Sequence, residues 1–144
     1  MRQAIRSSIL HCLSDPGDQS LASAYEYFDD GLLIIDNGDI AAAGPAETLL
    51  EGLAEDVLLT EYPGKLIVPG FIDCHVHFPQ LDIIGSYGEQ LLDWLHRYAY
   101  PAEARFADPD HAREVAGAFV DELLRNGTTT ALVFGTVHPH SADA

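Results

Sequence analysis

Two histidines stand two residues apart at the end of an apolar run, in the segment PGFIDCHVH at residues 69–77. If this run is a β-strand, side chains at positions i and i+2 share a face, so His75 and His77 project together, with Asp73 one step before them. Two neutral imidazoles can hold one zinc ion at about 2.0–2.1 Å, and a catalytic zinc lowers the pKa of its bound water to about 7. The spacing predicts a metal pair, whereas two strand histidines without further context are more often solvated or structural.

The other face of this strand is apolar. Ile72, Cys74 and Val76 alternate with the histidines, which predicts that they point into a hydrophobic layer. Cys74 is then a small buried hydrophobe. Together with Cys12 it makes only two cysteines, too few for a disulfide framework.

The neighbouring residues give the pair a context. Residues 65–68 predict a short strand, Pro69 and Gly70 break it, and residues 78–80 predict a loop. The whole string resembles the P-G-F-x-D-x-H-x-H signature of the amidohydrolase superfamily, where it forms the first strand of a (β/α)₈ barrel. The resemblance implies an α/β chain in which residues 1–68 are half of a small β-sandwich and residues 69–144 are the first two strands and helices of a barrel.

A second string, LLDWLHRYAYPAE at residues 91–103, resembles the guanine deaminases within that superfamily. The resemblance implies hydrolysis of guanine to xanthine and ammonia by zinc-activated water, with one zinc per site and iron as the open alternative. It implies His75 and His77 as metal ligands, Asp73 as a brace of the strand, and a homodimeric parent. It also implies base contacts from residues near the metal: His77, Gln80 and Trp94.

Two of these base contacts can be weighed by their chemistry. The amide of Gln80 both donates and accepts, which matches the mixed edge of a purine, although a surface amide is often only solvated. Trp94 could stack on a flat base or fill the core beside Leu91 and Tyr98, and the sequence favours neither. The nucleobase deaminases that use H-x-E with P-C-x-x-C are excluded, since neither motif occurs.

Length limits what this chain can do alone. A (β/α)₈ barrel needs about 250 residues, and the chain has 144. In the family, two further histidines, an aspartate and a proton-moving glutamate come from later strands. The sequence therefore predicts the N-terminal portion of an enzyme, with no catalytic residue of its own. Two alternatives stay open: another amidohydrolase, acting on a different heterocycle or as a hydrolytic dechlorinase, and a non-catalytic module that binds a partner through its unfinished edges.

The charge and the apolar content of the chain limit the kinds of partner that it is expected to bind. The formal net charge is −16, from 23 acidic against 7 basic residues. Nucleic-acid affinity comes largely from Lys and Arg that replace counterions, so we expect a free base and no nucleic acid. No apolar stretch reaches the ~20 residues of a membrane helix, and no secretory signal is evident, so we expect a cytoplasmic protein with no membrane partner.

Local signals predict the remaining elements. Asn37-Gly38 between apolar runs predicts a type I′ hairpin, and residues 46–54 predict one short helix. Residues 89–100 predict a helix that Pro101 stops. Asp108 and Pro109 predict the start of a second helix that Asn126-Gly127 closes. Residues 128–134 then predict a parallel strand with a buried middle.

His138 and His140 repeat the H-x-H spacing, but Pro139 between them predicts a loop.

Overall fold

The computed structural model describes residues 1–18, 21–88 and 90–144. The chain is mixed α/β and divides into two compact units, Met1–Pro69 and Gly70–Ala144. Among the described residues, no helix is both long and apolar enough to span a membrane.

The first unit is built on a four-stranded sheet. Its strands are β1 (Arg2–Cys12), β2 (Tyr25–Asp36), β3 (Asp39–Pro45) and β4 (Leu58–Ile67), in the order β3-β2-β1-β4. Strand β2 pairs antiparallel with β1 and with β3, whereas β4 runs parallel to β1. The short strand predicted at residues 65–68 is the end of the longer β4.

The turn between β2 and β3 confirms the predicted hairpin. Asn37 has φ 54° and Gly38 has φ 96°, the positive values that both central positions of a type I′ turn require. The helix after β3, α1 (Ala46–Leu50), is shorter than the predicted 46–54. Gly52, a poor helix former, follows in a turn. Ala46 is buried with Ala4, Leu32 and Ile34 in the core of this unit.

The second unit begins with β5 (Phe71–His77) and continues in a 3₁₀ helix (Phe78–Ile83). Its remaining elements follow in chain order: α2 (Leu91–Trp94), a π-helical turn (Leu95–Ala99), α3 (Tyr100–Ala104), a 3₁₀ turn (Arg105–Ala107), α4 (Pro109–Arg125), β6 (Thr128–Phe134) and α5 (His140–Asp143). Strands β5 and β6 pair in parallel as a two-stranded sheet. Residues 78–80 were predicted as a loop, and this is corrected to helix: Pro79 stands in the first turn, where its missing N–H costs nothing.

Helix α4 confirms its predicted limits. The Asp108 side chain accepts a hydrogen bond from the backbone N–H of Asp110 at 2.9 Å, and Pro109 occupies the first turn. Gly127, just past the helix, has φ 81°. The apolar face of α4 packs in the core of the unit, whose buried members are Phe78, Phe106, Ala112, Val115 and Phe119.

The helix predicted at residues 89–100 is partly wrong. Its predicted first residue, Glu89, lies outside the described residues, and Pro101 does not stop the helix. The π-helical turn changes the hydrogen-bond register before Pro101, and α3 begins again with Pro101 in its first turn. The helical spacing of the apolar residues predicts Leu91 and Leu92 on one buried stripe of this helix, yet both are exposed.

The burial predicted for the two strands is also wrong. Ile72 is 68% exposed, Cys74 is an exposed free thiol, and Leu132 in the middle of β6 is 59% exposed. Of the predicted apolar face of β5, Val76 packs against the core cluster. The physical reason is local: the core of this unit packs on the end of β5, which leaves most of the two-stranded sheet uncovered.

We expect the purified 144-residue chain to self-associate or to be partly molten. Within the described residues each strand of the β5–β6 sheet pairs on one side only, and most of the apolar residues of the sheet are exposed, which favours association. Size-exclusion chromatography with light scattering, together with a thermal melt, tests this. Ile72→Lys should shift the chain toward monomer, whereas Val137→Lys, at a 94% exposed position outside the sheet, should not. A wild-type monomer with a sharp, cooperative melt would contradict the expectation.

Candidate metal centre and adjoining cleft

The two predicted metal ligands meet at the carboxyl end of β5. The Nε2 atoms of His75 and His77 lie 3.1 Å apart. Two nitrogens that each lie about 2.0–2.1 Å from one tetrahedral ion are separated by about 3.3–3.4 Å. The pair therefore fits a single shared zinc ion with only a small adjustment.

Two neighbours contact the histidine pair, one at the backbone of His75 and one at the imidazole rings. The Asp73 side chain accepts a hydrogen bond from the backbone N–H of His75 at 3.0 Å. The centre of the Phe134 ring lies 4.6 Å from that of the His75 ring and 4.8 Å from that of the His77 ring, on which it stacks with nearly parallel planes. Sequence reasoning missed Phe134, although the carboxyl ends of parallel strands meet at one edge and His77 pairs with Phe134 in the sheet.

Two imidazoles are only part of a catalytic metal site. Among the described residues, no group of three or more His, Cys, Asp or Glu side chains comes together to hold a metal. Catalytic zinc sites use three protein ligands and an open position. The described part of the chain thus brings together two candidate ligands, fewer than a catalytic zinc site uses.

A cleft of about 440 Å³ adjoins the histidines. This lies within the range of small-molecule sites, about 300–1,000 Å³. Its wall includes the residues predicted to contact a base, His77, Gln80 and Trp94, and also His75, Ser86 and Phe119. The structure therefore places the predicted metal and base-contacting residues around one cavity.

Gln80 and Trp94 enter this wall from different elements. Gln80 lies on the 3₁₀ helix after β5, and its Nε2 donates to Oε1 of Glu103 at 3.2 Å. Trp94 ends α2, is half-buried, and has its ring centre 6.4 Å from that of Tyr98. Leu91 is 69% exposed, so Trp94 does not fill a core beside it.

The family follows from a comparison with known proteins. A profile described as "Amidohydrolase family" matches residues 66–144, more than half of the chain. The chain belongs to the amidohydrolase family. The matched part of this amidohydrolase contains the histidine pair, Gln80 and Trp94.

The amidohydrolase chain is also similar to individual proteins. It is 46% identical over 145 residues to the guanine deaminase of Escherichia coli (strain K12), covering 99% of this chain and 33% of that protein. A solved structure of E. coli guanine deaminase matches it with a TM-score of 0.88 at 45% identity, over 99% of this chain and 33% of the other. The guanine deaminase of Bradyrhizobium japonicum matches with a TM-score of 0.86 at 37% identity, over 99% and 31%. The chain thus spans about a third of the length of these relatives.

Three further histidines of this amidohydrolase chain, His111, His138 and His140, lie outside the cleft. His140, predicted in a loop, begins α5, which corrects that prediction. The turn before α5 is held by Ser141, whose Oγ accepts from the Thr136 backbone N–H at 2.9 Å and donates to the His138 carbonyl at 2.8 Å. The Nδ1 atom of His111 lies 3.3 Å from a guanidinium nitrogen of Arg105, and the rings of His111 and Phe106 form a T-shaped pair. None of these three histidines lines the cleft beside β5.

Proposed function

We propose that this amidohydrolase chain is the N-terminal portion of a guanine deaminase, which hydrolyses guanine to xanthine and ammonia. The observation that carries the proposal is the single cleft that brings Gln80 and Trp94 beside the two histidines, whose Nε2 atoms are 3.1 Å apart. The 46% identity to the E. coli guanine deaminase over nearly the whole chain supports the same substrate.

The proposal includes an architecture. We propose residues 1–68 as half of a β-sandwich and residues 69–144 as the first β/α units of a (β/α)₈ barrel. The parallel pairing of β5 with β6 across a helical connection supports the second part, because βαβ units of this kind build barrels. The histidines at the carboxyl end of β5 are then at the barrel face where active sites lie.

The proposed metal is zinc, one ion per site, with iron as the alternative. His75 and His77 would hold it through their Nε2 atoms. Zinc supplies Lewis acidity that activates water at neutral pH. The chain's own contribution is to orient the ligands: Asp73 holds the backbone of His75, and the Phe134 ring limits the rotation of both imidazoles.

The proposed substrate contacts come from the cleft wall. Gln80 would form hydrogen bonds to the base, because its amide can meet both donors and acceptors of a purine edge. Trp94 would offer a flat apolar face to the ring, and His77 borders the same space. The strongly acidic balance favours a neutral base over a polyphosphate substrate. The homodimeric parent and the cytoplasmic location stay predictions.

We expect the full-length protein that carries this chain to convert guanine to xanthine, and the purified 144-residue chain to show no turnover. Two imidazoles leave a zinc ion mostly hydrated, so the isolated chain should bind zinc only weakly. Xanthine formation followed by chromatography, with isothermal titration of zinc, tests both statements. A panel that also contains adenine and other amino-heterocycles separates guanine deaminase from a different amidohydrolase.

Two results would contradict the proposal. Turnover of guanine by the 144-residue chain would mean that this chain already holds a complete site. Preference of the full-length protein for another heterocycle would replace guanine as the substrate and leave the family assignment unchanged.

A further inference from the structure

A carboxylate lies against the amide that we propose for base binding. Glu103 and Gln80 are both half-buried, and Gln80 Nε2 donates to Glu103 Oε1 at 3.2 Å. Gln80 lines the cleft, whereas Glu103 does not. The bond therefore joins a residue of the cleft wall to a partner outside that wall.

The chemistry of the partner decides which way the amide points. An ionised carboxylate only accepts hydrogen bonds, whereas an amide has one donating and one accepting end. The NH₂ end of Gln80 must therefore turn toward Glu103, because the opposite orientation would set the amide oxygen against a carboxylate oxygen. The carbonyl oxygen of Gln80 is left to accept a bond from another group.

Gln80 lies on the 3₁₀ helix Phe78–Ile83, and Glu103 lies in the segment Tyr100–Ala107. These two segments contact each other at three points. The rings of Phe78 and Phe106 meet edge to face with centres 5.2 Å apart. The hydrogen bond from Gln80 to Glu103 is the second contact. In the third, the Asp82 carboxylate accepts a hydrogen bond from the Arg105 guanidinium at 2.7 Å. Alternate residues of the 3₁₀ helix thus each contact the segment Tyr100–Ala107, so that Glu103 is held where it can direct Gln80.

We infer that Glu103 is a positioning residue for substrate binding: it fixes the Gln80 amide so that its carbonyl oxygen accepts from an N–H group of the base. This inference rests on the proposed function. Both guanine and adenine carry an exocyclic amine, but guanine has an N–H donor at N1, whereas adenine has an unprotonated acceptor there. A carbonyl oxygen of Gln80 that is fixed toward N1 therefore favours a base that is protonated at N1, which is the chemical class that Glu103 helps to select.

The test is a double-mutant cycle in the zinc-loaded, full-length protein. Glu103→Gln keeps the shape but can donate as well as accept, so it no longer imposes one orientation on Gln80. We expect kcat/KM for guanine to fall about tenfold, the cost of one hydrogen bond to a charged group, with normal zinc content. In the Gln80→Ala background the same change should have no further effect, because Glu103 acts through Gln80. Glu114→Gln, the same chemical change at an exposed position of α4, is the matched control and should leave kcat/KM unchanged.

Two outcomes of the cycle would overturn the inference. Unchanged kcat/KM in Glu103→Gln is one, and an equal loss in both backgrounds, which indicates a merely structural role, is the other.

A measurement that needs no turnover separates this inference from the proposed function. If the wild-type protein does not deaminate guanine, the proposed function is wrong. Whether Glu103 fixes the Gln80 amide is then tested by hydrogen exchange of the Gln80 side-chain amide, which is followed by NMR with ¹⁵N-labelled glutamine. Exchange that is several-fold faster in Glu103→Ala than in the wild type supports the link, and equal rates overturn it.

Discussion

Replacing His75 or His77 by alanine in the full-length protein is expected to remove both bound zinc and guanine turnover. Each substitution deletes one of two imidazoles whose Nε2 atoms lie 3.1 Å apart, and the remaining ligand holds the ion less tightly. The loss in kcat should exceed the roughly 10- to 100-fold that loss of an outer-shell partner costs. Elemental analysis of the purified variants and steady-state kinetics measure the two effects.

The chain offers a matched control for this experiment. His140 belongs to a second H-x-H sequence, is exposed, and does not line the cleft. His140→Ala should keep full zinc content and activity. Retention of zinc by His75→Ala or His77→Ala, or its loss from His140→Ala, would show that the metal pair is wrongly assigned.

Gln80→Ala is expected to separate base binding from metal binding. The substitution leaves both imidazoles in place but deletes hydrogen bonds to the base, and such a deletion typically costs about 1–3 kcal/mol. We therefore expect normal zinc content with kcat/KM for guanine lowered about tenfold to a hundredfold. Elemental analysis and kinetics over a range of guanine concentrations give both values.

A second glutamine serves as the reference. Gln3 is exposed on β1, in the first unit, and Gln3→Ala should change neither zinc nor kinetics. If Gln80→Ala lost zinc, its role would be structural support of the metal pair. Full activity of Gln80→Ala on guanine would remove Gln80 from the base-binding residues.

Features set by short-range rules could be read from the sequence. Positive φ at Asn37 and Gly38 follows from the demands of one tight turn. The start of α4 at Asp108 and Pro109 follows from the orphan N–H groups of a first helical turn. The common direction of His75 and His77 follows from the two-residue repeat of a strand. Each depends on residues that are near neighbours in the chain.

Features that depend on packing could not be read in this way. Ile72 and Leu132 have the composition of buried strand residues, yet both are exposed, because burial depends on which elements cover the sheet. Pro101 is a helix breaker by its chemistry, but the π-helical turn before it supplies a first-turn position where the missing N–H does no harm.

The sequence by itself determined the proximity of the two histidines, their strand and the family resemblance, because these lie in one continuous string whose geometry is local. Only the tertiary structure decided the surroundings of the pair. It brought Phe134 onto the two imidazoles and Glu103 onto the amide of Gln80. These contacts join residues far apart in the chain, and no local periodicity encodes them, because they arise from the pairing of β5 with β6 and the packing of the 3₁₀ helix against the segment Tyr100–Ala107.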